Sequence, residues 1–359
     1  MTGSETLSAK LSLVFSSIGH TYSHLFGPIF YVVALNLEND LSLSHGDVIT
    51  LIVVGNVLFG VAAPLAGWIG DKWSSTGMMA VFFAGVGCGM VLTGLSSTPV
   101  MIGVGLAVTG LFSSIYHPVG IAWLFRHAVK RGMALGINGV FGSVGPAIAA
   151  LSAGILIQWQ GWQAAFLVPG ALVLATGGVF ILLIRRGLIF EIKEDRAPVA
   201  PAPRKDAVRA FSVLALTMLC SGLIYQATQP ALPKVISERL ADLAGNGVLG
   251  VSAMVALVYL ISGAMQIVGG RLADTYPLKL VYILGFILQA PVLVLAASLG
   301  GSAFMIVAVI MVSANTGVLP AENALVARYA PARWRGLVFG LKFILTLGIG
   351  SLGVLLEAK

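Results

Sequence analysis

The chain has 359 residues, of which 58% are hydrophobic and only 10% are charged, and its formal net charge is +7. A soluble domain carries about 25% charged residues, so a water-facing surface is excluded over most of the chain and lipid is the solvent. A nucleic-acid face is excluded by where the 21 basic residues fall: 17 lie at one set of helix ends and loops, 3 at the opposite set, and Lys342 inside an apolar segment.

A helix crosses the hydrocarbon core in about 20 apolar residues. Apolar segments of that size fall at 11–35, 48–70, 77–95, 100–125, 133–157 and 162–184, and again at 209–232, 249–272, 279–298, 302–327 and 336–356. We number them spans one to eleven. Lys10 precedes span one and no small-residue cleavage pattern follows it, so span one reads as a retained helix rather than a removed leader. The basic bias places the N-terminus and the segment 187–208 in the cytoplasm and residues 36–47 in the periplasm. The expectation is a multi-pass protein of the inner membrane.

Polar residues at membrane depth are costly and so become site candidates. In span one, His20 and His24 stand four residues apart, on one helix face, with Tyr31 expected near that face. His20 is about 15 Å along the helix from Lys10. In span four, Tyr116 and His117 lie at similar depth, His117 about 14 Å from Arg126. Histidine titrates near neutral pH, so His20, His24 and His117 are expected as proton or anion handles. Span five runs Gly136-x-x-Gly139-x-x-Gly142-x-x-Gly145-Pro146, a stripe without side chains, and also carries Asn138. Span seven contributes Tyr225 and Gln226. Glu322 in span ten and Lys342 in span eleven lie at matching depth and are expected to pair, either as a structural ion pair or as a rival proton site. Cys88 and Cys220 sit in apolar segments with no disulfide or metal-ligand spacing, and no metal or cofactor is expected. There is no phosphate-binding Gly-Lys-Ser/Thr loop and no hydrolase pattern, so neither ATP hydrolysis nor an enzyme activity is expected.

Residues 187–208 mix charges with Pro198, Pro201 and Pro203 and read as a semi-rigid linker. They divide an N-terminal half at 1–186 from a C-terminal half at 209–359. The halves repeat. Gly67-Trp-Ile-Gly-Asp71 returns as Gly270-Arg-Leu-Ala-Asp274, Pro118 and Arg126 as Pro320 and Arg328, Arg131-Gly132 as Arg335-Gly336, and Tyr22 as Tyr225, all at offsets of 202–204. Asp71 with Lys72, and Arg271 with Asp274, are candidate gating loops. Arg131 and Arg335 lie at the same face, as expected partners for the carboxylates of the opposite half.

The loop Gly67-x-x-x-Asp71-Lys72 and its copy Gly270-x-x-x-Asp274 resemble the signature loop of the major facilitator superfamily, over nearly the whole chain. The run from Gly110 through Tyr116-His117-Pro118 to Gly145-Pro146, with Gly161-Trp162, looks like the branch that includes fosmidomycin-resistance exporters. The resemblance implies an all-α polytopic bundle of two six-helix pseudo-repeats, with substrate held between the halves. The family has twelve spans and eleven are counted here, so the twelfth helix is absent from this chain, by truncation or loss. After Lys72 the loop continues with Trp73 rather than Gly, and span four lacks the internal Arg of many drug/proton antiporters, which either weighs against an antiporter or shifts its proton chemistry to histidine.

The leading expectation is a secondary transporter working by alternating access: proton-coupled efflux of a small drug-like or phosphonate-like solute. The expected partners are that solute, protons and the bilayer, and the protein is expected to be a monomer. The alternatives are a proton symporter importing an organic anion or sugar and, from another class, a non-transporting sensor or fragment.

Overall fold

A computed structural model describes residues 3–127, 131–191, 204–245, 247–329 and 335–357. Among them every regular element is helical. Eight helices are long and apolar enough to cross a bilayer, and the pair His45–Val61 and Ala63–Lys72, bent by 41°, makes a ninth. The eight are Ser75–Gly94, Pro99–Leu124, Gly136–Gln160, Trp162–Arg185, Lys205–Arg239, Gly247–Thr275, Leu278–Ser298 and Gly301–Val326. They match spans three to ten, and the bent pair is span two. Spans one and eleven are helical but interrupted. Span one is Gly3–Ser23 followed by Phe26–Asp40; span eleven begins as Arg335–Phe343 and continues through Ile344–Gly348 and Ile349–Gly353 to Val354–Glu357.

The interruptions have local causes. Pro28 has no N–H to offer the carbonyl four residues back, which belongs to His24. The helix tightens there, His24 N–H donating to Thr21 O at 3.1 Å and Leu25 N–H to Tyr22 O at 3.2 Å. Pro118 acts likewise in span four, where the α-helix widens into a π-turn over Tyr116–Gly120. Such turns are frequent at functional sites. Pro146 does not break span five: Arg131–Gln160 is one continuous helix. The helix of span seven starts at Arg204, so residues 204–208 of the expected linker are helical, and 192–203 lie outside the described residues.

Spans five and eight pack along their lengths. A Cβ on Gly154 would overlap the Ser252 side chain, one on Gly263 would meet Ser143 Cβ at 3.0 Å, and Ser143 Oγ donates to Gln266 Oε1 at 2.6 Å. Spans two and eleven approach still more closely: a Cβ on Gly60 would fall on the backbone nitrogen of Gly348. Exposed aliphatics such as Leu172, Leu216, Ile287 and Val294 cover the outside, as a lipid solvent requires.

Candidate functional site

The break at His24 and the π-turn at Tyr116–Gly120 face one another, and together they assemble the polar centre of the first half. The ring centroids of His20 and His24 are 5.3 Å apart, those of His20 and His117 5.4 Å, and those of His24 and His117 5.2 Å. One nitrogen from each ring lies within 4.8 Å of the other two. Span five makes the room. A Cβ on Gly142 would collide with the His20 ring, and one on Gly145 would meet Thr21 O at 3.0 Å and His24 Cβ at 3.1 Å. A Cβ on Gly136 or Gly139 would meet nothing within 4 Å among the described residues, so the close packing of the glycine stripe falls to Gly142 and Gly145.

Hydrogen bonds fix the rings from behind. His20 Nδ1 lies 2.8 Å from the Asn138 carbonyl oxygen. A carbonyl only accepts, so Nδ1 carries the proton and the Nε2 lone pair is left free. Tyr116 OH donates to Ser16 O at 2.8 Å and accepts from Asn138 Nδ2 at 2.7 Å, and its ring stacks on His20 at 5.0 Å. His117 Nε2 is buried with no hydrogen-bond partner among the described residues. Its ring is held by stacking, on Phe59 of span two at 5.8 Å and on Phe343 of span eleven at 4.5 Å. His117 therefore sits at the seam between the first and second halves of the chain. Tyr31 is not part of this centre: beyond the helix break its hydroxyl accepts from Asn56 Nδ2 at 3.2 Å.

The second half has its own buried polar centre. Lys342 Nζ is 2.7 Å from Glu322 Oε1 and donates to Asn323 Oδ1 at 2.7 Å. Tyr282 OH lies 2.9 Å from Glu322 Oε2 and 2.7 Å from Thr217 Oγ1. The contact of Lys342 with Oε1 is an ion pair without the alignment of a hydrogen bond. The two charged side chains are 7% and 2% exposed. Above them Tyr225 accepts from Gln229 Nε2 at 2.7 Å and, with Tyr259 and Asn315, lines a cavity of about 10 Å³, room for about one water. Gln226 is buried and its Nε2 has no partner among the described residues. Sequence reasoning missed Gln229, Tyr259, Asn315 and Gln289, whose Oε1 accepts from Asn315 Nδ2 at 3.2 Å; each is a polar residue within an apolar span, the same signal that singled out Gln226.

At the face opposite the linker, Lys234 of span seven pairs with Glu38 of span one at 2.7 Å, and His45 Nδ1 lies 2.6 Å from the same carboxylate. At the linker face, Asp71 is 3.6 Å from Arg126 of its own half, with the carboxylate 68% exposed. Such a pair contributes about 0–1 kcal/mol. The side chains of Arg335, the expected partner of Asp71 in the opposite half, and of Arg131, the expected partner of Asp274, lie outside the described residues. Lys72, Arg271 and Asp274 are exposed, and a Cβ on Gly270 would meet nothing within 4 Å among the described residues, whereas one on Gly67 would meet Pro118 Cβ at 3.1 Å. The two copies of the loop are therefore packed differently.

Glu191, just after span six, caps the helix of span three. It accepts from Ser74 Oγ at 2.7 Å, Thr76 N–H at 2.9 Å and Ser75 N–H at 3.2 Å. Burial pushes this carboxyl up, but the bonds from Thr76, Ser74 and Ser75 together outweigh it and hold it below the usual glutamate value. A depressed folded pKa contributes stability above the unfolded value, lost as pH falls through the folded one. Glu191→Gln should thus melt earlier than wild type at pH 7, by about 1 kcal/mol of capping. The difference should begin to shrink as the pH falls below about 4.3, the ordinary glutamate value, and vanish only below the lower folded value; a difference that persists there would assign the loss to shape rather than charge.

The family model of the Major Facilitator Superfamily matches residues 12–355. The chain belongs to this superfamily. Among curated relatives of this major facilitator, the puromycin resistance protein pur8 of Streptomyces alboniger is 26% identical over 39% of the chain and 28% of its own length. The tetracenomycin C resistance and export protein of Streptomyces glaucescens is 30% identical over 45% of the chain and 30% of its own length. The chain thus matches less than a third of the length of these two. Among solved structures, a bacterial homologue of the human lysosomal transporter Spinster, inward-facing, superposes with a TM-score of 0.75 at 16% identity, covering 97% of the chain and 81% of the other. The fold is the major facilitator fold, in a multi-pass membrane protein.

Proposed function

We propose that this major facilitator exports a small drug-like or phosphonate-like solute across the inner membrane in exchange for protons, its two halves rocking about a midplane site. The observation that carries the reading is the position of His117: a ring with an uncommitted nitrogen, stacked between Phe59 of one half and Phe343 of the other. A solute bound to it is bound to the seam, so its affinity differs between states that open and close that seam, which is what drives alternation. The Lys234–Glu38 pair and the close approach of Gly60 to Gly348 join the halves at other levels and would have to part as access changes. Export is favoured over import because two relatives are described as resistance or export proteins.

The test is transport in inverted vesicles. Uptake of a cationic or phosphonate drug into vesicles bearing the protein should rise with an imposed pH gradient and collapse with a protonophore. Transport indifferent to the gradient would remove the proton, and accumulation in the opposite direction would favour the symport of an organic anion or sugar.

Orientation is tested separately. The 17 to 3 asymmetry of basic residues predicts a cytoplasmic linker and N-terminus. A cysteine introduced in the linker should resist an impermeant thiol reagent in intact cells and one at 42–44 should react; the reverse pattern would invert the topology.

A further inference from the structure

The three imidazoles do more than line a site: their nitrogens converge. We propose that His20, His24 and His117 form a binding site for a borderline divalent transition-metal cation of the Zn²⁺ class, with at least one coordination position left open. This stands apart from the transport reading, because it concerns equilibrium binding and needs neither a gradient nor a second state.

Four observations carry it. First, one nitrogen of each ring lies within 4.8 Å of the other two. Around a tetrahedral ion with metal–nitrogen distances of about 2.0–2.1 Å the nitrogens stand about 3.3 Å apart, so a modest turn of the side chains closes the set. Second, His20 donates Nδ1–H to the Asn138 carbonyl at 2.8 Å. Metal-bound histidines are oriented in this way, the outer hydrogen bond fixing the tautomer that turns a lone pair to the ion. Third, among the described residues His117 Nε2 is buried without a partner, and His24 has no hydrogen bond to compete for its ring. A buried polar atom left without a partner forfeits the hydrogen bonds it makes in water, and a metal ion would supply a partner. Fourth, Gly142 leaves the space that the His20 ring occupies, and the Phe59 and Phe343 rings hold that of His117.

The donor set defines the ion. Imidazoles suit Zn²⁺, Cu²⁺ and Ni²⁺, whereas Mg²⁺ and Ca²⁺ need oxygen ligands, and none of the three residues is a carboxylate. The nearby charge does not forbid a cation, because Lys342, beside Phe343 in the chain, is paired with Glu322 at 2.7 Å. With three neutral ligands the ion keeps its own charge, so the open position favours an anionic chelating oxygen or hydroxide. A solute that chelates through such an oxygen would be held through the ion.

The experiment uses tag-free full-length protein in detergent, stripped with a chelator and titrated with Co²⁺. One equivalent should bind with the intense visible absorption of a tetrahedral or five-coordinate nitrogen site, Zn²⁺ should displace it, and excess Mg²⁺ should not. His20→Ala and His117→Ala should each weaken binding by more than the 10–100-fold that loss of an outer-shell partner produces, while His45→Ala, at the far face, should bind as wild type. Should the variants fail to fold, Cu²⁺ electron paramagnetic resonance on the wild type decides: three imidazole nitrogens are expected, and two or fewer would overturn the site. So would no binding of Co²⁺ at micromolar protein, or equal binding by His117→Ala. A transport failure in vesicles with intact Co²⁺ binding would sink the export reading and leave this one standing.

Discussion

Glu322→Gln should destabilise the protein by about 3–5 kcal/mol, and Lys342→Gln by a similar amount. The reason is burial rather than the strength of the pair. Both side chains are almost wholly withdrawn from solvent, at 2% and 7% exposure, and each satisfies the other. Removing the carboxylate leaves an ammonium in a low-dielectric bundle with, among the described residues, Asn323 Oδ1 to solvate it, at 2.7 Å. Removing the ammonium leaves a carboxylate supported, among the described residues, by Tyr282. Removing both is different: Glu322→Leu with Lys342→Met exchanges the pair for apolar volume, and such exchanges are often neutral or stabilising. Swapping the two residues keeps charge balance but sets a carboxylate against Asn323, which must then turn its amide to donate. The expected order of stability is therefore wild type and the apolar double variant together, then the swap, then either single neutralisation. Thermal unfolding in detergent at constant lipid content reads it. Single variants within about 1 kcal/mol of wild type would mean that water reaches the pair.

The fold was legible because apolar length is a strong signal. Spans two to ten of the expected set coincide with helices, and their outward faces carry aliphatics such as Ile287 and Val294. The interruptions could have been foreseen from Pro28 and Pro118, since a missing N–H falls at a known offset; whether a proline breaks a span is decided by its neighbours, as the unbroken helix through Pro146 demonstrates.

The site was legible in pieces. Helical spacing puts His20 and His24 on one face, but nothing local ties either to His117, 93 residues after His24. Depth alone suggested Glu322 with Lys342, and they do meet. Asp71 instead lies near Arg126, because proximity within one membrane face says little about which of several arginines is within reach. The Glu38–Lys234 and Glu191 contacts escaped notice for a plainer reason: charges outside the spans are common, so their type and position carry no signal until the helices that bear them are placed.

Gly142→Ala should abolish the geometry of the histidine centre without touching a titratable group. By helix propensity alone the change is favourable, about 1 kcal/mol per residue, and Gly136→Ala and Gly139→Ala, which meet open space, should show that gain or nothing. At 142 the added carbon lands on the His20 ring. The helix of span five cannot retreat, because its opposite side packs on span eight through Ser143 and Gln266. The ring must therefore turn out, which breaks its bond to the Asn138 carbonyl and its stack on Tyr116. Overpacking of this kind costs about 1–3 kcal/mol, small enough for the protein to fold and insert. Vesicle transport should fall at least about tenfold, equivalent to about 1.4 kcal/mol of lost binding in the working state, while expression and the alanine variants at 136 and 139 stay near wild type. If Gly142→Ala transports as well as Gly139→Ala, the His20 ring has no part in holding the solute, and the site moves to the second half, around Tyr225 and Gln229.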